Sequence, residues 1–273
     1  MHLIDSSIQA FYAQAQEETR LTTGLGPLEF ERNKILISRY LDHPCHITDV
    51  GGGTGHYAQW LSSLGHFVTL IDPVSKHIQQ AEKRSKRTGF YFRCLLAEAR
   101  NLPLPDASQH LVMLHGPLYH LQERSDRIDA LREARRVLRK DGILLGFAIN
   151  HTASLVAALQ NGLIYHPDIF RMCTTELISG IHEAPADFPG MLPVAYYHRP
   201  SVLIAEFKEA GFEPHQLSSV EGVAWMDGSF FSNWADLNKR KRLLELLELT
   251  EKDQDLISLS PHMMLAASVS ARP

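Results

Sequence analysis

Cysteine is scarce in this chain: Cys45, Cys94 and Cys173 are the only three in 273 residues, and none forms a Cys-x-x-Cys pair. That excludes a disulfide framework and gives no ligand set for a structural zinc, so a reducing cytoplasm and a metal-free site are expected. Strong charge is also missing. A net charge of −4 offers no electrostatic footprint for nucleic acid. No stretch approaches the ~18–20 apolar residues of a membrane span. Met1–Ser7 has neither a basic region nor an apolar run, so no signal peptide is expected. Internal repeats and low-complexity tracts are absent, and no pattern specifies an oligomeric state.

What is present is a full complement of core residues. The chain is 44% apolar, enough for one α/β domain with an insertion. Its most informative segment is Ile47-Thr-Asp-Val-Gly-Gly-Gly-Thr-Gly55, an apolar strand that carries an acid and runs into a glycine turn. Gly51, Gly53 and Gly55 supply the positive φ and missing side chains that a sharp strand-to-helix turn under a ligand requires. A helix is expected from about His56 to Leu64, stopped by Gly65. The apolar run His66–Ile71 then reads as a buried parallel strand. It ends in Asp72, at the carboxyl edge where open α/β sheets bind ligands, seventeen residues past Gly55.

The spacing selects the cofactor. Dinucleotide enzymes use G-x-G-x-x-G/A, and aligning Gly51 and Gly53 to it puts His56 where a small residue is needed. Asp49 would repel a pyrophosphate but suits a cationic ligand. S-adenosylmethionine carries an ammonium, a sulfonium and a ribose diol, and no phosphate. The chain here resembles the class I S-adenosylmethionine-dependent methyltransferases. Asp49-Val-Gly-Gly-Gly-Thr-Gly55 is similar to their first motif, and Leu70-Ile-Asp72-Pro73 to their ribose-binding segment.

The resemblance continues along residues 40–150. Ala97-Glu98-Ala99 is similar to the adenine-side loop, though most relatives carry Asp where Glu98 stands. His110–Leu114 matches the fourth strand, and His115-Gly-Pro-Leu-Tyr-His120-Leu121 the segment facing the transferred methyl. Ser125–Lys140 is expected as a helix and Gly142–Ile149 as the fifth strand. The resemblance implies a Rossmann-like, seven-stranded, mostly parallel sheet with helices on both faces. It also implies a cofactor set of Asp49, Gly51, Gly52, Gly53, Gly55, Asp72, Pro73, Ala97, Glu98, Ala99 and His115.

The remaining segments carry the acceptor. Residues 1–40 read as an N-terminal helical cap, 41–150 as the cofactor core, 151–200 as a lid insertion, and 201–273 as the end of the sheet with a helical insertion. Residues 151–200 hold five prolines among apolar and aromatic residues. So long a connection is functional or disordered, and it is too apolar for disorder. His120 and Tyr119 are the catalytic candidates, because a hydroxyl acceptor must lose a proton and a positioned base assists that by ~10²–10⁴-fold. Tyr12, Arg20, His198, Arg199 and Trp225 are candidates for the acceptor pocket. The segments holding His115–Leu121, Tyr196–Pro200 and Glu221–Trp225 resemble a bacterial subgroup of small-molecule methyltransferases. No Asp/Asn-Pro-Pro-Tyr/Phe motif follows the fourth strand, which argues against DNA-adenine and glutamine-amide chemistry. Two other readings stand: a nicotinamide oxidoreductase on a similar sheet, and a non-catalytic S-adenosylmethionine-binding module.

Overall fold

The computed structural model describes residues 4–270; the outermost parts of the expected N-terminal cap and C-terminal segment, 1–3 and 271–273, lie outside the described residues. Nine strands are found among the described residues: β1 (His46–Val50), β2 (Phe67–Asp72), β3 (Arg93–Leu96), β4 (Gln109–Leu114), β5 (Leu138–Ile149), β6 (Ile181–Glu183), β7 (Val194–Tyr196), β8 (Phe212–Ser219) and β9 (His262–Val269). Seven form one sheet in the order β3-β2-β1-β4-β5-β9-β8, and β6 pairs with β7 apart from it. The first five strands of that sheet are parallel, while β9 runs antiparallel between β5 and β8. The expected seven-stranded, mostly parallel α/β sheet is therefore present.

Alternation along the central strands buries both faces. In β4, Val112 and Leu114 enter one apolar cluster, and Leu111 and Met113 enter the other. The first cluster is closed by the helices Arg124–Val137 and Pro200–Glu209, through Ile128, Leu131, Leu203 and Phe207. The second is closed by Gly26–Ser38, His56–Ser63 and Ser75–Thr88, through Leu36, Ile37, Leu61 and Ile78. Each fully buried leucine here contributes about 1.5–3 kcal/mol. The helix expected over Ser125–Lys140 ends at Val137, because β5 starts at Leu138, earlier than Gly142.

Two features position the site. β1 is the point where strand order reverses, so a crevice opens at the carboxyl ends of β1 and β4. Because β9 is antiparallel to β5, its first residue, His262, pairs with the last residue of β5, Ile149, at that same rim. Above the crevice lies the helix Ser6–Gln14, capped by Asp5, which accepts from the Ser7 N–H at 2.8 Å. Lys76 Nζ donates to the carbonyls of Tyr12, Ala13 and Ala15 and so holds the helix's C-terminal end down.

The long connection at 151–200 is more regular than its prolines suggested. It folds into the helices Ala153–Asn161 and Pro167–Ser179 and the β6–β7 ladder. Pro167 opens its helix, where no N–H is needed, and Gly180 closes it with φ +78°. The Arg127 guanidinium meets the Glu206 carboxylate at 2.8 Å and lies 3.7 Å from the Tyr196 ring centroid, tying β7 to the core. The helices Phe230–Ala235 and Leu237–Thr250 form the insertion between β8 and β9. Among the described residues no helix is long and apolar enough to cross a membrane.

Candidate active site

The glycine turn is fixed from below and open above. Gly51 has φ +77°, and its N–H donates to the Ile71 carbonyl at 2.7 Å, stitching the turn to β2. A Cβ there would meet the His115 carbonyl oxygen at 2.7 Å. At Gly52 it would meet Asp49 Oδ2 at 2.7 Å, and at Gly55 the Phe92 ring at 2.9 Å. Gly53, with φ +56°, is different: nothing lies nearer than 3.7 Å, so its missing side chain leaves room on the cavity side. Three of the glycines thus serve packing and the fourth leaves space for a ligand.

Asp72 joins the two halves of the cradle. Its Oδ2 accepts from the Gly53 N–H at 2.9 Å, and its Oδ1 from the Val74 N–H at 2.8 Å and faces His77 Nδ1 at 3.1 Å. Of roughly four acceptor positions on a carboxylate, these leave about one for a ribose hydroxyl. Asp72 and Pro73 both line the cavity. Asp49 sits beneath the turn, fully buried, and does not itself line it. Its Oδ1 is 3.0 Å from His115 Nδ1, and its Oδ2 has no partner. The His115 ring is stacked between Tyr57 (centroids 4.4 Å apart) and Phe147 (3.9 Å), with Nε2 buried and unpartnered. An orphaned carboxylate oxygen under an open glycine turn fits a ligand with a positively charged group. A pyrophosphate over this buried carboxylate would be repelled.

Beyond β3, Glu98 and Ala99 line the cavity, whereas Ala97 does not. Glu98 Oε2 accepts from the Arg100 backbone N–H at 2.9 Å and from its Nε at 3.0 Å. One oxygen of Glu98 is therefore engaged with its own neighbour.

A single cavity of about 990 Å³ runs from this cradle to the other candidates. Tyr119, His120, Tyr12 and Arg20 all line it. The Tyr12 hydroxyl is 2.9 Å from His120 Nε2, joining the N-terminal helix to the segment after β4. Burial depresses the basicity of His120, and the Asp72 charge only partly offsets it, so its pKa falls to about 4. The imidazole is neutral at physiological pH, and Nδ1 is buried without a partner. Burial pushes the Tyr119 and Tyr12 hydroxyls well up, so both remain protonated.

Three expected acceptor residues lie elsewhere. His198 is fully buried, with Nε2 3.1 Å from Glu206 Oε2. Arg199 donates to the Leu177 carbonyl. Trp225 packs with Leu28, Phe230 and Leu247 and donates from Nε1 to the Leu259 carbonyl at 2.7 Å. None of them lines the cavity. The wall they were expected to form is instead built from Glu29, Asn33, Tyr57, Phe147 and His262. Behind His262 stands Glu221, whose Oε1 is 2.6 Å from His262 Nδ1.

This sheet order with a glycine turn at the reversal point defines a nucleoside-type binding fold, and the comparisons with known proteins narrow the class. The methyltransferase domain family matches residues 48–146, from β1 to β5. The chain is 34% identical over 105 residues to a demethylmenaquinone methyltransferase of Thermotoga maritima, covering 38% of this chain and 43% of that protein. It is 28% identical over 189 residues to a ubiquinone/menaquinone biosynthesis C-methyltransferase of Campylobacter jejuni, covering 65% and 74%. The match thus spans less than half the length of the first of these relatives. A solved structure of 1,6-didemethyltoxoflavin-N1-methyltransferase from Burkholderia thailandensis, with 1,6-didemethyltoxoflavin and S-adenosylhomocysteine bound, superposes with a TM-score of 0.61 at 15% identity over 97% of this chain and 88% of that one. At that identity the likeness is one of fold. Over residues 48–146 the chain is thus similar to the methyltransferase domain family, and its fold is shared with the S-adenosylhomocysteine-bound structure.

Proposed function

We propose that the protein transfers a methyl group, in line, from S-adenosylmethionine to a small-molecule acceptor in the cytoplasm. The observation that carries this reading is the single cavity shared by the glycine cradle with Asp72 and by His120, Tyr119 and Tyr12. Cofactor and acceptor would meet there without crossing a wall. Relatives named for quinone methylation support a cyclic small molecule as the acceptor.

The bound cofactor supplies a sulfonium methyl that is already activated, so the protein's part is geometry. Gly51–Gly53 and Asp72 hold the cofactor's ribose and amino-acid portion, Asp49 with His115 supports the turn from below, and Glu98 and Ala99 border the adenine end. Positioning reacting atoms ~3–3.5 Å apart supplies up to ~7–11 kcal/mol of the barrier. His120 is a weak base, yet a hydroxyl acquiring a methyl group becomes a far stronger acid than an imidazolium, so its neutral ring suffices to take that proton. Tyr12 orients the ring through Nε2, and Tyr119 stays protonated as a donor to the acceptor. The 151–200 segment, which brings Gly190 and Leu192 to the cavity wall, serves as the lid.

The test is S-adenosylhomocysteine release over a panel of cyclic hydroxy, amino and thiol acceptors. Release with one acceptor class, reduced ~10²-fold or more in His120→Ala, supports the reading. Full turnover in His120→Ala removes His120 from the chemistry. Tight cofactor binding with no release from any acceptor favours a non-catalytic module, and oxidation of NADH by the protein favours the oxidoreductase.

A further inference from the structure

A series of charged side chains crosses the cavity from the cradle, where Glu17 lies 3.7 Å from the space a Cβ would take at Gly53, through Arg20 and Glu29 to His262. β1 and β4 carry the cradle, and β9 lies three strands from β1; at ~4.8 Å per strand His262 stands about 14 Å from β1. His262 therefore lies at the end of this series away from the cradle. Its orientation is over-determined. Glu221 accepts from the His262 backbone N–H at 3.0 Å through Oε2 and pairs with Nδ1 through Oε1. Ser260 Oγ adds a 3.2 Å contact to Glu221 Oε2. With Nδ1 so engaged, Nε2 is the nitrogen left to the cavity, and it has no protein partner among the described residues. Burial would strip the proton from this ring, but the Glu221 and Glu29 carboxylates outweigh it and raise the pKa to about 9. His262 is thus a fixed cationic donor at neutral pH.

Beside it stands a fixed acceptor. Arg20 Nη1 donates to Glu29 Oε2 at 2.6 Å, and Arg20 Nε to Glu17 Oε1 at 2.7 Å. Burial alone would protonate Glu29, and the Arg20 charge overrides this and keeps it ionised. Glu29 Oε1 has no protein partner among the described residues. One oxygen of Glu29, one of Glu221 and one ring nitrogen of His262 lie within 4.8 Å of one another. Two carboxylates and a histidine at this spacing could hold a cation. Here Arg20 already neutralises Glu29, and a protonated imidazole has no lone pair to give. Tyr57 and Phe147, stacked on opposite faces of the His115 ring, line the same cavity.

We propose that His262 and Glu29 form a paired donor and acceptor that recognises an N–H/C=O edge of a planar heterocyclic acceptor, making them the specificity-determining residues of the site. That the heterocycle is the methyl acceptor rests on the methyltransferase reading; its recognition by His262 and Glu29 does not. A cyclic imide or lactam presents its carbonyl to His262 Nε2–H and its N–H to Glu29 Oε1. A quinone offers carbonyls but no N–H for Glu29, and a buried carboxylate left without a donor weakens its binding. Glu221 is a positioning residue, acting through His262.

Calorimetry with lumazine, a pteridine-2,4-dione, and 1,3-dimethyllumazine, which lacks both N–H groups, tests this in the presence of saturating S-adenosylhomocysteine. The expected result is at least about tenfold tighter binding of lumazine by the wild type, as for hydrogen bonds to charged groups. That preference should fall to within about twofold in His262→Phe and in the isosteric Glu29→Gln, with S-adenosylhomocysteine affinity unchanged. Equal affinity for the two probes, failure of both to bind, or a preference that survives both substitutions overturns the inference. So does Mn²⁺ or Zn²⁺ binding that is lost in Glu29→Gln and displaces lumazine, which would make the cluster a metal site. Failure of the wild type to bind S-adenosylhomocysteine counts against the methyltransferase reading instead, and the same lumazine comparison without it then decides the inference.

Discussion

Replacing His262 with glutamine removes a titratable group whose folded state holds a proton more tightly than the unfolded chain does. Below about pH 6.5 both states are protonated and the stabilisation is fully present. As pH rises the unfolded chain loses its proton first, and the stabilisation drains away until the folded state also titrates, near a pKa of about 9. At roughly 1.4 kcal/mol per pH unit the full difference is up to about 3 kcal/mol. The side chain is 28% exposed to the cavity, so screening by water brings the expected contribution to about 1–2 kcal/mol. Urea denaturation of the unliganded protein at about pH 6 and about pH 9.5 measures it. The wild type should lose that amount more than His262→Gln over the interval. Superimposable pH dependence in the two proteins would refute the idea that Glu221 and Glu29 hold His262 protonated. His120, depressed by burial to about 4, acts in the opposite sense: its stabilisation is present above pH 6.5 and is lost as pH falls toward 4.

Two further substitutions separate cradle from scaffold. Gly51→Ala would drive a methyl into the His115 carbonyl at 2.7 Å on a positive-φ backbone, so melting should fall by several degrees along with cofactor affinity. Gly53→Ala meets no such contact, so it should cost only about 1–2 kcal/mol from backbone strain yet weaken cofactor binding comparably; equal melting losses would contradict that assignment. Glu206→Ala strands the buried Arg127 and His198 and should cost about 3–5 kcal/mol in chemical denaturation, with a loss under 1 kcal/mol showing that the pair is not what anchors β7.

The cofactor half was legible because its signals are local. The acid-bearing apolar strand, the glycines and Asp72 occupy one short stretch, and each constrains the backbone directly. The N-terminal contribution was partly legible: Tyr12 and Arg20 do reach the cavity. The acceptor wall was not, since Glu29, Glu221 and His262 come from three distant segments. The antiparallel pairing of β9 with β8 sets Glu221 against His262, and its pairing with β5 sets both at the cavity rim; nothing around position 262 announces that strand's direction. His198 and Trp225 misled for the complementary reason. They lie in Tyr196–Pro200 and Glu221–Trp225, segments that resemble a small-molecule methyltransferase subgroup, yet Glu206 and the Leu28–Leu247 cluster draw their rings away from the cavity. In 151–200 the prolines obscured a readable helix: Ile169, Met172, Cys173 and Glu176 are its buried positions, at helical spacing, between Pro167 and Gly180.

If the Gly51–Gly53 turn with Asp72 holds S-adenosylmethionine, calorimetric titration of the wild type, Asp72→Asn and Asp72→Ala with S-adenosylmethionine, S-adenosylhomocysteine and NADH will show it. One-to-one binding of the two sulfur ligands, no binding of NADH, and at least about tenfold loss in both variants are expected. Binding of NADH, or undiminished S-adenosylhomocysteine affinity in Asp72→Ala, would contradict that reading.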